Sequence, residues 1–350
     1  MSRWPLPGVS VEAFSALGEA LLALDDVSKA PALAARQQAL LRALPSCGLS
    51  GQLSCQWISQ LNDRLTMRIV ELVARSFRLP PTEWCWLAMG SEGRDEQTLL
   101  TDQDNGLVFV AAGAQEAQAM RARFLPFAQA VNEQLAACGF SLCPGQIMAG
   151  NPAWCLSVDE WREQFFAWVR CPDPTALLNA TIFFDLRPLV GALSLGADLR
   201  REILRLTVDA SAFIHLMSIN ALQVQPPLGF LGDVAVDGEK AVDLKKFGSR
   251  IFVDVARILS LAAGTPGVNT FVRLQEAGAA AGMQPREVAA AQSALSHLLR
   301  LRLSAQVKDE GEISPVFRPE NLHDMDRVIL RESLHQARRL QQRLKLNYSL

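Results

Sequence analysis

The chain has 350 residues, enough for two or three domains with sizeable cores. Apolar residues make up 49%, charged residues 20%, and the formal net charge is -2. That balance disfavours broad nucleic-acid binding, which usually makes a domain basic, and no run of about 18 apolar residues is available to cross a membrane.

The seven cysteines and four histidines contain no C-x-x-C or H-x-x-x-H pair, so a zinc site is not expected. The cysteines sit in apolar segments, as buried reduced thiols do. Met1-Ser2-Arg3-Trp4-Pro5 opens no unbroken apolar stretch of the kind a signal peptide needs. The expectation is a reduced, cytoplasmic protein.

Residues 9–78 read as helices. Val11, Phe14, Leu17, Leu21 and Leu24 recur at three and four, with Ser10 as N-cap. Pro31 starts a second helix, and a third carries the stripe Ile58, Leu61, Leu65, Ile69 and Leu72. Pro80-Pro81 closes this section. Two short apolar runs follow, Trp84–Met89 and Leu107–Ala111, and both suit buried strands lying side by side. A polar loop or short helix separates them. Residues 116–138 form a helix that stops at Gly139, and Phe140–Cys143 is a candidate third strand. A helix is expected over 157–170 with Trp161 and Trp168 in the core. Thr181–Leu186 reads as a further strand or the start of the next helical section. Beyond residue 190 the chain is helical again: Leu199, Ile203, Leu206, Phe213 and Met217 form one long helix. The segment from Pro226-Pro227 to Gly238 is a loop, and 247–262, 285–303 and 321–346 supply three further helices. The expected fold class is α+β: a small mixed-sheet core between N-terminal helices (1–80) and a C-terminal helical bundle (191–350), with the core over 81–190.

The chemistry concentrates between the two apolar runs. Gly90-Ser91 closes the first, and Asp102-Gln103-Asp104 leads into the second. A tight glycine turn lets backbone N–H groups approach a triphosphate. Residues i and i+2 of a strand point the same way, so Asp102 and Asp104 would hold magnesium ions about 4 Å apart, as two-metal phosphoryl transfer requires. Ser91 would bond a phosphate oxygen, and Arg94, in the polar loop Glu92–Gln97, would add positive charge to it.

Gly90-Ser91-Glu92-Gly93-Arg94-x-Glu96-Gln97, followed by Thr101-Asp102-Gln103-Asp104-Asn105, resembles the signature of bacterial nucleotidyltransferases related to the PII-protein uridylyltransferases. These belong to the DNA polymerase beta-like nucleotidyltransferase superfamily. The likeness extends over roughly residues 55–350, through Cys143-Pro144-Gly145, Met148-Ala149-x-Asn151-Pro152, Phe183-Phe184-Asp185-Leu186-Arg187-Pro188 and Val242-Asp243-Leu244-Lys245-Lys246. It implies a magnesium-dependent enzyme that moves a nucleoside monophosphate from a nucleoside triphosphate to a hydroxyl, a protein hydroxyl in the uridylyltransferases, and a role in signal transduction. It also implies a third carboxylate on a later strand. Asp185 is the nearest acid in such a context; its other reading is a helix cap or a pair with Arg187. Lys245 and Lys246, at a helix start, are the candidate triphosphate contacts of the later domain. A second reading is a nucleotide-binding regulatory module with weak or no catalysis.

Overall fold

The computed structural model describes residues 11–229, 234, 241–307 and 317–350. Ser10, the expected first N-cap, and most of the stretch leading to Gly238 lie outside them. Three helices open the described chain: α1 (Val11–Leu22), α2 (Ala30–Leu41) and α3 (Gly51–Arg75). Strand β1 (Trp84–Ala88), the single-turn helix α4 (Gly90–Gly93), β2 (Asn105–Phe109), α5 (Ala114–Ala137), β3 (Cys155–Ser157), α6 (Val158–Arg170), α7 (Pro174–Phe183) and β4 (Arg187–Gly191) follow. The remainder is helical: α8 (Leu193–Val208), α9 (Ser211–Ala221), α10 (Arg250–Ala263), α11 (Thr270–Ala277), α12 (Pro285–Gln306) and α13 (Asp324–Tyr348). The fold is α+β, as its pattern of apolar runs indicates.

The chain forms two compact units. The first comprises the described residues to Leu49, Gln56–Phe166 and Asp185–Glu202. The second comprises the described residues of Ser50–Cys55, Ala167–Phe184 and Ile203–Leu350.

The first unit is built on a four-stranded mixed sheet in the order β3-β2-β1-β4. β1 pairs antiparallel with both β2 and β4, and β2 pairs parallel with β3. The central strands carry unbroken apolar runs because both faces are covered. On one face α5 presents Phe124 and Phe127. Phe127 meets Trp84 edge-on at 5.4 Å, Trp86 at 6.4 Å and Phe77 at 6.0 Å, while Phe124 stacks on Phe109 at 5.2 Å. Trp161 is fully buried and donates its indole N–H to the Leu107 carbonyl at 3.1 Å, a core residue as expected. The stripe Ile58, Leu61, Leu65, Ile69 and Leu72 is buried along α3.

In the second unit α10 is the central helix. Its residues Ile251–Leu261 are buried on every side, where it packs with α9, α11 and α13. α12 packs along α13. A helix buried all round is mostly apolar, and α10 is so apart from Ser260 and the Asp254–Arg257 ion pair at 2.7 Å. Asp173 caps α7 by accepting from Ala176 N at 2.6 Å, and a Gln284/Glu287 capping box starts α12.

Three expectations need correction. Phe140–Cys143 is not a strand: it contributes a single bridge, Ser141 with Asp102, and the third strand is Cys155–Ser157 instead. Three residues are too few for an alternation to be visible in the sequence. Thr181–Phe183 are the last turn of α7, not a strand. The long helix from Leu199 to Met217 is two helices, because Ala210 leaves the helical region (φ -97°, ψ 58°) and Ser211 restarts it. The Thr207 hydroxyl turns to the Leu204 and Leu261 carbonyls just before the break.

All seven cysteines are free, six of them buried. Among the described residues no helix is long and apolar enough to cross a membrane. Truncating Phe127 to Ala removes the ring that three aromatic neighbours enclose. It is expected to cost about 3–5 kcal/mol in chemical denaturation, with the denaturant slope unchanged.

Candidate active site

β1 ends at Ala88, and the chain must then turn away from the sheet edge. Gly90 makes that turn with φ +54°, a conformation most side chains resist. Space demands glycine as well: a Cβ here would stand 2.5 Å from Asp104 Oδ2 and 3.3 Å from its Cγ. The Asp104 carboxylate therefore lies directly over the turn. Met89 N donates to the Asp104 carbonyl at 2.9 Å, which fastens the end of β1 to the residue before β2. In the one-turn helix that follows, the first N–H groups have no acceptor within the helix. The Ser91 hydroxyl is half-buried and has no partner among the described residues.

Alternation orders the acidic segment. Gln103 and Asn105 are buried, and both meet Asn132 of α5: Asn132 Nδ2 donates to Gln103 Oε1 at 2.8 Å and to Asn105 Oδ1 at 3.0 Å. Gln103 also donates to the carbonyls of Asn132 and Phe140, and Asn105 Oδ1 accepts from Ala149 N. With Gln103 and Asn105 directed inward, extended backbone sends residues 102 and 104 to the opposite side. Both aspartates are half-buried, neither sealed in the core nor fully exposed. The Cys143 thiol lies against Asp104; burial, with the aspartate charge adding to it, pushes the thiol above its usual range.

A second relay holds the loop in front of Asp102. Gln37 Nε2 donates to Asn62 Oδ1 at 2.6 Å, Asn62 Nδ2 to Gln97 Oε1 at 3.1 Å, and Gln97 Nε2 to Thr101 Oγ1 at 3.1 Å. Ser59 accepts from Gln97 N at 3.0 Å. Helices α2 and α3 thus reach the acidic segment through buried amides bonded in series, with Gln37 Oε1 the one atom of the relay left without a partner among the described residues.

Arg94 and Asp185 were expected at the ligand and are engaged with each other instead. Arg94 Nη1 meets Asp185 Oδ2 at 2.5 Å and its Nε meets Glu96 at 3.0 Å; Asp185 is fully buried. A carboxylate with no access to water needs a cation beside it, and Arg94 supplies it. Arg187, read in sequence as the partner of Asp185, pairs with Asp63 at 2.8 Å and Asp95 at 3.0 Å. It also donates to the carbonyls of Glu92 and Gly93. Gly93 is fixed by this packing, since a Cβ would collide with the Asp185 carbonyl oxygen. The sequence reading missed Asp63, Arg187 and Asn132 as supports; polar residues inside apolar helical stripes were the available signal for Asp63 and Asn132.

Glu92 lies behind the turn. Burial, reinforced by Asp63 and countered by Arg187, pushes its carboxyl up to about 8; Asp104 and Asp95 add smaller contributions in the same direction. Among the described residues no cluster of three or more His, Cys, Asp or Glu is placed to hold a metal ion. Two half-buried carboxylates still suit magnesium, which is commonly bound through one or two carboxylates together with water and substrate phosphates.

Lys245 and Lys246 belong to the second unit, both exposed, at the start of a π-helical turn (Lys245–Ser249) that leads into α10. Asp243 Oδ1 already accepts from Lys246 N at 2.8 Å, so a carboxylate of the chain itself meets the helix start there. The Lys246 ammonium lies over the Phe247 ring, 5.0 Å from its centre. His215 is half-buried, with its Nδ1 3.2 Å from the Tyr348 carbonyl.

Residues 35–175 match the family model described as "Putative nucleotidyltransferase DUF294". Residues 211–348 match "Putative nucleotidyltransferase substrate binding domain". No curated protein matches the chain.

A neutral isostere tests the buried acid. Glu92 keeps its proton in the folded state up to about pH 8 but loses it near pH 4.5 when unfolded. The folded state therefore loses stability as pH rises between those values. Glu92→Gln should melt with wild type at pH 4.5 and above it at pH 9 in thermal scans. Equal melting temperatures at both pH values would contradict the assignment.

Proposed function

Because the chain belongs to the DUF294 family of nucleotidyltransferases, with its accompanying substrate-binding domain, we propose that the Gly90 turn and the Asp102–Asp104 pair form a magnesium-dependent nucleotidyl transfer site. The reaction moves a nucleoside monophosphate from a triphosphate to a hydroxyl acceptor. The observation that carries this reading is the seating of the Asp104 carboxylate over a glycine that has no room for a side chain. It brings hard oxygen donors and open backbone N–H groups to one place.

Asp102 and Asp104 would hold magnesium through their carboxylate oxygens. The ion, when bound, offsets charge on the triphosphate and on the departing pyrophosphate. Ser91 donates its hydroxyl to a phosphate oxygen, and the N–H groups of the Gly90–Glu92 backbone do the same. Arg94 and Asp185 act one step back, fixing the loop that shapes the turn, and make no ligand contact. The acceptor hydroxyl attacks the α-phosphorus as the bond to pyrophosphate breaks, and its proton leaves to solvent or to a nearby carboxylate. Lys245 and Lys246 are not needed for this chemistry.

One observation favours a second reading, nucleotide binding without efficient transfer: Asp185, the candidate third acid, is committed to Arg94. The readings separate in one experiment. The protein is incubated with magnesium, cell extract and α-labelled ATP or UTP. The transferase reading expects a labelled acceptor, with labelling reduced about 100-fold or more in Asp104→Asn while the melting transition is kept. Calorimetric nucleotide binding with no labelled product supports the second reading. Full labelling by Asp104→Asn rejects the site.

A further inference from the structure

The second unit contains a cavity of about 380 Å³ where the start of α12 faces the C-terminal half of α13. One wall is formed by Met283, Arg286, Glu287, Ala290 and Ala291, the other by Gln336, Arg339, Leu340 and Arg343. The spacing on α13 is that of one helical face. The floor is apolar: Met283, Ala291 and Leu340 are buried. Three guanidinium groups surround it and only one carboxylate accompanies them.

That carboxylate is already committed. Glu287 accepts from Gln284 N at 2.7 Å as part of the helix cap, and it pairs with Arg343 at 3.1 Å. The cap, with the arginine adding to it, holds its carboxyl below the usual range. Arg339 is bound only at the surface, to Glu332 at 3.1 Å, where both side chains are more than half exposed. Arg286 is exposed and makes no ion pair among the described residues. The basic run on α13, which reads in sequence as a plain solvated face, therefore forms one side of a concave site in which three guanidinium groups meet two carboxylates, Glu287 in its wall and Glu332 at the surface, leaving one surplus positive charge on the exposed Arg286.

We propose that this cavity binds a small organic phosphate of mononucleotide size. Guanidinium forks match phosphate oxygens in pairs. The apolar floor suits an uncharged body attached to the phosphate, which inorganic phosphate lacks. The volume lies near the lower end of the range for small-molecule pockets, roughly 300–1,000 Å³. That is sufficient for one compact molecule. The proposal is independent of the transfer site, which lies in the other unit.

Calorimetric titration of the intact protein at low salt tests it, with AMP, ribose 5-phosphate and inorganic phosphate as the probes. At least one organic phosphate should bind about tenfold or more tightly than inorganic phosphate, and binding should weaken as salt is raised. Arg286→Ala/Arg339→Ala should weaken that binding about tenfold or more. Both side chains are exposed, so the double variant should melt close to wild type. Asp104→Asn should bind the same probe as wild type does. The proposal is overturned if neither organic phosphate binds more tightly than inorganic phosphate, or if the double variant binds unchanged. It is equally overturned if binding is lost in Asp104→Asn and kept in the double variant, because the ligand would then occupy the transfer site.

Discussion

One atom's worth of empty space organises the first unit. Gly90 has no Cβ, and the Asp104 carboxylate occupies the volume a Cβ would crowd. The end of β1 and the approach to β2 can then close on each other, joined by the Met89–Asp104 backbone hydrogen bond. A larger residue at position 90 would press on a carboxylate and force an unfavourable φ together. The turn and Asp104 are therefore one construction, and each depends on the other for its geometry.

The surroundings keep that construction rigid by spending charges on support. Arg94 is held by Asp185 and Glu96, and Arg187 by Asp63 and Asp95. The buried pairs among these, Arg94 with Asp185 and Glu96, contribute little net stability compared with apolar packing, but breaking one is costly. Their value here is positional: Arg187 binds the Glu92 and Gly93 carbonyls and so fixes the loop that leaves the turn. On the other side, the Asn132 side chain holds Gln103 and Asn105 inward and leaves the intervening aspartate outward. Catalytic geometry is usually set by such supporting contacts as much as by the groups that touch substrate.

Much of this was legible in the sequence. The two apolar runs, the turn between them and the alternation at Asp102-Gln103-Asp104 are local features, and local features leave periodic traces. The stop of α5 at Gly139 was legible for the same reason. What escaped was non-local. The partner exchange between Asp185 and Arg187 depends on which guanidinium arrives from 91 residues away, and no spacing rule encodes that. The three-residue strand β3 takes its identity from pairing with β2 rather than from its own composition. The break at Ala210 was hidden because Leu206, Phe213 and Met217 keep helical spacing across it. Asp63 and Asn132 were visible as polar residues in helices, but their purpose depends on the tertiary neighbours they meet.

The central claim is that Asp102 and Asp104 project together beside the Gly90 turn and jointly hold a divalent cation against a bound nucleotide. Electron paramagnetic resonance with manganese(II), which shares magnesium's preference for oxygen ligands, reads this directly in the presence of a non-hydrolysable triphosphate. The account predicts one or two tightly bound ions in wild type, weakened in both Asp102→Asn and Asp104→Asn while the fold is kept. Manganese bound as tightly in both variants as in wild type would contradict it.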